Sequence, residues 1–265
     1  MFDPITALRS ARILISNDDG ILGPGLAVLE GIARSLCDDV WVCVPETEQS
    51  GAGHSLSLHR PLRIRHAGPQ RYAVDGTPTD SVLLAVNTLF PERKPDLILS
   101  GVNRGANLGD DVTYSGTVAA AMEGTLLGIP SIAFSQVYND PEVVPWETAQ
   151  EFAPGIIERL YGLLQSGAWP REVLMNVNFP PVPPSQVYGV QVGSQGTRKV
   201  GDGLTERLDP RGKPYIWIGP QRSGETPIPG SDMEAIDNGF VSVTPLCVNL
   251  TDRAMLDVLK RDVFT

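Results

Sequence analysis

The sequence predicts an α/β fold: a Rossmann-like, mostly parallel sheet flanked by helices, with a C-terminal β-hairpin or arm. Three observations point there. Short continuous apolar runs recur at 13–15, 40–44, 97–99 and 132–134, the pattern of strands buried on both faces. Segments with apolar residues at helical spacing separate several of them. Polar, glycine-rich loops follow the strands, where open parallel sheets assemble their sites.

Residues 12–16 read as the first strand, ended by Asn17-Asp18-Asp19-Gly20. Pro24 opens a helix, since its missing N–H is harmless there, and Leu26, Leu29, Ala33 and Leu36 form the stripe. A strand over 40–44 is stopped by Pro45, and a polar segment runs from Glu46 to His59. Residues 62–66 and 71–74 suit a hairpin, after which Thr79 or Asp80 caps a helix to residue 89. A strand over 97–99 ends in Ser100-Gly101. Then come a helix over 118–127, with Val118, Ala121, Met122 and Leu126 buried, a strand over 132–134, a helix over 147–164 and a strand over 173–178. Gly128 suits a helix C-terminus. From Pro180 the pattern changes: four prolines fall in 180–184, and short β-like runs appear at 187–192, 215–218 and 240–243. These suggest an antiparallel extension and a last helix starting near Thr251. A single domain over 1–265 follows, with its core at about 12–180 and an oligomerisation extension at about 181–265.

The formal charge is −10, which argues against long nucleic acid as a partner, because an extended polyanion needs clustered Lys and Arg. A small phosphorylated ligand is still admissible, since a metal and backbone N–H groups can hold it. Apolar stretches are too short for a bilayer span, so no membrane partner is expected. Met1 to Arg12 lacks the apolar core of a signal peptide. Cys37, Cys43 and Cys247 have no CxxC spacing and read as buried free thiols in a reducing, cytoplasmic setting.

Chemistry concentrates in four loops. Asp18 and Asp19 bring two carboxylates together at a strand end, costly without a cation; their oxygens suit Mg²⁺ or Mn²⁺, although a turn with a helix cap uses the same residues. His54, in Ser50-Gly51-Ala52-Gly53-His54-Ser55, could protonate a leaving alkoxide, bind phosphate or satisfy a loop carbonyl. Asn103 and Asn107 offer amide donors and acceptors on a glycine-rich loop. Ser115, Gly116 and Thr117 precede a helix whose first N–H groups form an anion site; a plain N-cap is the alternative for Ser115 or Thr117. No GxGxxG dinucleotide fingerprint and no Walker A loop occur.

The segments ILISNDDGILGPGL, VPETEQSGAGHSLSL, VDGTPTDSV (74–82), DLILSGVNRGANLGDDVTYSGTVAAAMEGTLLGIPSIAFS (96–135) and GSDMEAIDNGFVSVTPL (230–246) resemble the survival protein E family of 5′/3′-nucleotidases, also described as stationary-phase survival acid phosphatases. The resemblance spans about residues 12 to 250. It implies one divalent ion per subunit, Mg²⁺ or Mn²⁺, held by Asp18, Asp19, Ser50 and Asn103, with Asn107, Ser115, Gly116 and Thr117 near the phosphate; Asn17, beside the aspartates, is a further phosphate-binding candidate. It also implies hydrolysis of nucleoside monophosphates, with short-chain polyphosphate a further substrate, and a homodimer or homotetramer assembled through C-terminal extensions. The sequence departs from many relatives in having Ser81 where they have Cys, and Tyr114 where some have His. The catalytic expectation rests on Asp18, Asp19 and His54. Water activated by the metal is the preferred nucleophile, attack by an aspartate the rival. A nonhydrolytic phosphate sensor and a structural assembly protein are the competing classes.

Overall fold

Ile13 and Ile15 of the first strand face one side of a nine-stranded sheet and Leu14 the other, all fully buried, as period-2 alternation requires. The computed structural model describes residues 7–198, 203–218 and 227–264. In chain order the main elements are β1 (Arg12–Ser16), α1 (Pro24–Leu36), β2 (Asp39–Pro45), β3 (Ile64–Gly68), β4 (Arg71–Val74), α2 (Pro78–Thr88), β5 (Leu97–Arg104), α3 (Gly116–Leu126), β6 (Ser131–Gln136), α4 (Trp146–Gln165) and β7 (Val173–Phe179). There follow β8 (Val190–Val192), β9 (Leu204–Leu208), β10 (Pro214–Ile218), α5 (Asp232–Asp237), β11 (Val241–Cys247) and α6 (Arg253–Val258).

The sheet order is β3-β4-β2-β1-β5-β6-β7-β11-β8. Strands β4, β2, β1, β5, β6 and β7 are mutually parallel, while β3 pairs antiparallel with β4 and β11 with β7. Helices α1 and α4 cover the face of Ile13 and Ile15, and α2 and α3 the face of Leu14. The order turns back between β1 and β5, so the crevice of this doubly wound sheet opens beyond their carboxyl ends. Among the described residues no helix is long and apolar enough to cross a membrane.

Several local expectations need correction. Pro45 closes β2 from inside, paired with Val74 of the edge hairpin. The cap of α2 is Thr77: its hydroxyl accepts from the Asp80 N–H while the Asp80 carboxylate accepts from the Thr77 N–H, a capping box with Pro78 at the first helical position. Strand β5 runs past Ser100-Gly101 to Arg104, with its register against β6 shifted between Ser100 and Asn103. Helix α3 is buried on nearly every side, through Ala119, Ala120, Ala121 and Gly124, whereas Leu126 is 57% exposed. Small residues explain this: a β-carbon at Gly124 would lie 2.4 Å from Ser131 Oγ and 2.5 Å from Ile98. Helix α5 was not expected, although Ser231 caps it.

Beyond residue 180, β8 and β11 extend the main sheet, and among the described residues β9 and β10 stand apart, as an antiparallel hairpin. Leu204, Leu208, Ile216, Trp217 and Ile218 are exposed on it. Cys37 and Cys43 are buried free thiols, and burial pushes Cys43 up to about 12. Cys247, expected to be buried, is exposed at the last position of β11.

Candidate active site

The turn after β1 is built by its own first residue. The Asn17 side chain donates to the Gly20 carbonyl at 3.0 Å and accepts the Gly20 N–H at 3.2 Å. Both ends of this amide therefore shape the turn that carries Asp18 and Asp19. Gly20, at φ +84°, turns the chain close under Thr47, whose carbonyl carbon would lie 2.9 Å from a β-carbon there.

Three other segments meet this turn. The Gln49 N–H donates to the Asp18 carbonyl at 2.8 Å, docking the loop that carries Ser50. The Arg104 N–H approaches the Asp19 carboxylate at 3.4 Å, which sets the end of β5, and with it Asn103, beside Asp19. From α3, the Thr117 hydroxyl donates to Asp18 Oδ1, and the Thr117 N–H also bonds that carboxylate. Asp18 is 5% exposed. Burial raises its pKa, outweighing the Thr117 donors, and the Glu48 charge adds to the rise. Asp19 is pushed up to about 6, first by burial and then by the neighbouring Asp18 charge, with Glu48 contributing again. Ionising this pair is costly unless a cation joins it.

Among the described residues no three His, Cys, Asp or Glu side chains form a ready cluster. A cation here would have to complete its shell with neutral oxygens, and two loops offer them. Asn103 donates its Nδ2 to the Gly105 carbonyl at 3.0 Å, which leaves its Oδ1 as the amide's acceptor. Ser50 is exposed, with its hydroxyl 2.9 Å from Glu48 Oε1. A set of two carboxylates, a hydroxyl and an amide oxygen suits a hard divalent ion.

The remaining predicted residues divide. Ser115 is the N-cap of α3, its Oγ accepting the Val118 N–H at 3.0 Å. Gly116 stands against Asp18: a β-carbon there would lie 2.6 Å from Asp18 Cβ. Thr117 spends its donors on Asp18, so the helix start stabilises that carboxylate as well as any anion beside it. Asn107 is held on the β6–β7 side, its main chain paired with Asn178 and its Nδ2 donating to Ser135 Oγ at 2.7 Å. Among the described residues no hydrogen bond joins it to the aspartate turn. His54 pairs with Glu123, Nε2 to Oε2 at 2.9 Å.

Sequence reasoning missed Glu48, which lies two residues before Ser50 in the same loop, and Glu123, which lies 69 positions from its partner and carries no local signal. It also missed the support from the C-terminal region. Buried Asp232 accepts from the N–H groups of Gly109 and Gly196 at 2.9 and 2.8 Å, fastening the loop before α3.

Comparison with known proteins places the chain in a family. Residues 13–202 match the family described as survival protein SurE. A protein of Paramagnetospirillum magneticum called 5′-nucleotidase SurE is 59% identical over 259 residues, covering 98% of each chain. One of the same name from Rhodospirillum rubrum is 55% identical over 262 residues, again 98% of each. The crystal structure of the SurE protein from Aquifex aeolicus superimposes with a TM-score of 0.81 at 40% identity, covering 94% of this chain and 98% of that one. The chain belongs to the survival protein SurE family.

Proposed function

We propose that this chain is a metal-dependent 5′/3′-nucleotidase that hydrolyses nucleoside monophosphates to nucleoside and phosphate, with short-chain polyphosphate as a further substrate. The single observation that carries the reading is the Asp18–Asp19 turn: two adjacent carboxylates, both made harder to ionise by burial, at the switch point of the sheet. The family and the names of its members support phosphate ester hydrolysis as the chemistry.

In this reading Asp18, Asp19, Ser50 and Asn103 hold one Mg²⁺ or Mn²⁺ per subunit. When bound, the ion balances the carboxylates and draws charge from the phosphoryl oxygens. The protein's own residues supply order. Thr117 fixes one oxygen of Asp18, and the Arg104 N–H steadies Asp19. The positive end of the α3 dipole, framed by Ser115, Gly116 and Thr117, favours a phosphate dianion without a lysine. Water is the nucleophile: Asp18, buried and bonded to Thr117, is poorly placed to attack phosphorus itself. The assembly is a homodimer or homotetramer using the exposed β9–β10 hairpin, in the cytoplasm.

Phosphate release from AMP, GMP and their 3′ isomers, with Mg²⁺ or Mn²⁺ and with chelator, tests the proposal. Release that chelation abolishes is expected. Nucleotide binding without release overturns the assignment in favour of a sensor.

A further inference from the structure

The loop carrying Ser50 contains two glycines at positive φ, Gly51 at 75° and Gly53 at 55°, and its residues 50–55 are exposed or half-buried. Such a segment has little apolar contact to locate it; hydrogen bonds do so instead. Gly53 N–H donates to the Tyr114 carbonyl at 3.1 Å. The Ser55 carbonyl accepts the Thr77 hydroxyl at 2.7 Å, and the Ser57 N–H donates to Asp80 at 3.0 Å. Between these fastenings His54 reaches the flank of α3 and meets Glu123.

Glu123 is 8% exposed, and a carboxylate so buried needs a partner. It lies six residues beyond Thr117, about 9 Å further along the helix and about 240° around it. The imidazole is thus drawn along the flank of α3 by an anchor well separated from the Thr117–Asp18 contact. One rigid helix therefore grips two site loops: the aspartate turn through Thr117 and the serine loop through Glu123.

We propose that His54 is a positioning residue: the His54–Glu123 pair pins the far side of the Ser50 loop to α3 and, with the Gln49 N–H on the Asp18 carbonyl at its near side, sets the spacing of Ser50 from Asp18 and Asp19. This rests on the ligand set proposed above. It replaces proton donation to the leaving group with loop placement as the role of the histidine.

The test is Mn²⁺ binding by calorimetry to the full chain, with His54→Ala, Glu123→Ala, the double variant and Glu123→Gln beside the unaltered protein. Each alanine variant should weaken Mn²⁺ about ten- to a hundredfold, as loss of outer partners of a metal site does. The double variant should lose no more than the worse single, because one clamp is removed either way. Glu123→Gln keeps an acceptor oxygen and should stay close to the unaltered protein. Should His54→Ala fail to fold because Glu123 is orphaned, the double variant, which leaves no buried charge, reports the same loss. With saturating metal, kcat on AMP and on p-nitrophenyl phosphate should fall by equal factors. A larger loss on AMP, whose alkoxide needs protonation more, overturns the clamp in favour of general-acid catalysis. Unchanged Mn²⁺ affinity in the double variant overturns it outright. Absence of Mn²⁺ binding to the unaltered protein strikes the ligand set instead.

Discussion

Asn178 pairs with the main chain of Asn107 as a neighbouring strand would. Its Oδ1 accepts the Asn107 N–H at 2.9 Å, and its Nδ2 donates to the Asn107 carbonyl at 3.0 Å. Asn178 is fully buried and Asn107 is 5% exposed. The carbonyl has a second donor in Asn176, at 2.8 Å, but the N–H depends on Asn178. Asn178→Ala should therefore cost about 1–3 kcal/mol, the penalty for one orphaned buried donor. Urea denaturation measures it; an unchanged midpoint at unchanged slope would show that the loop finds another acceptor.

Gly116→Ala is expected to lower activity and to cost stability as well, because the site is buried and closely packed. Alanine suits the first turn of a helix better than glycine, but its β-carbon would press on Asp18 Cβ at 2.6 Å and Oδ2 at 2.9 Å. A displacement of about 1 Å at the carboxylate corresponds to a loss of about a hundredfold in kcat/KM. Phosphate release from AMP, with circular dichroism to confirm folding, checks the outcome.

Asp19→Asn should weaken Mn²⁺ by about tenfold or more, since a direct ligand contributes at least as much as an outer partner. The metal-free protein should lose no stability, because the change removes one charge from a repelling pair. Unchanged Mn²⁺ affinity in calorimetry would reject Asp19 as a ligand.

Asp80 gives the acid side of the stability curve. Burial pulls its carboxyl upward, but the Thr77 and Ser57 donors outweigh burial and hold it below its ordinary value of 3.8. A carboxyl more acidic in the folded chain stabilises the fold above the unfolded pKa, and that contribution disappears as pH falls through the lower folded value. Between about pH 4 and pH 2 the unaltered protein should lose stability more steeply than Asp80→Asn. Denaturant midpoints across that window would expose parallel curves if Asp80 did not contribute.

The net charge of −10 predicts preference for mononucleotides over long strands, whose phosphates need an extended basic track. Phosphate release from AMP should far exceed cleavage of a long single strand, and efficient internal cutting would contradict this.

Legibility in the sequence followed the range of each interaction. Continuous apolar runs located β1, β2, β5 and β6, because burial on both faces demands them. The Thr77-x-x-Asp80 capping box was equally local, yet Thr79 or Asp80, both inside it, was read as the cap in place of Thr77. The exposure of Leu126 was hidden for another reason: α3 is lined with alanines and glycines, so apolar periodicity does not say which face packs. At the site, Asp18 and Asp19 announced themselves by adjacency. The grips of Thr117 on Asp18 and of Glu123 on His54 join residues 99 and 69 positions apart, and only the folded sheet brings them together.

The antiparallel seating of β11 against β7 has a consequence in time. Strand β7 is complete at Phe179, yet the strand covering its outer edge begins at Val241. A ribosome adding about 5–20 residues per second needs several seconds to cross that interval. Until Val241–Thr244 are made, Asn176, Val177 and Asn178 lack the outer neighbour they have in the folded chain, and an unpaired edge of this kind can template intermolecular pairing.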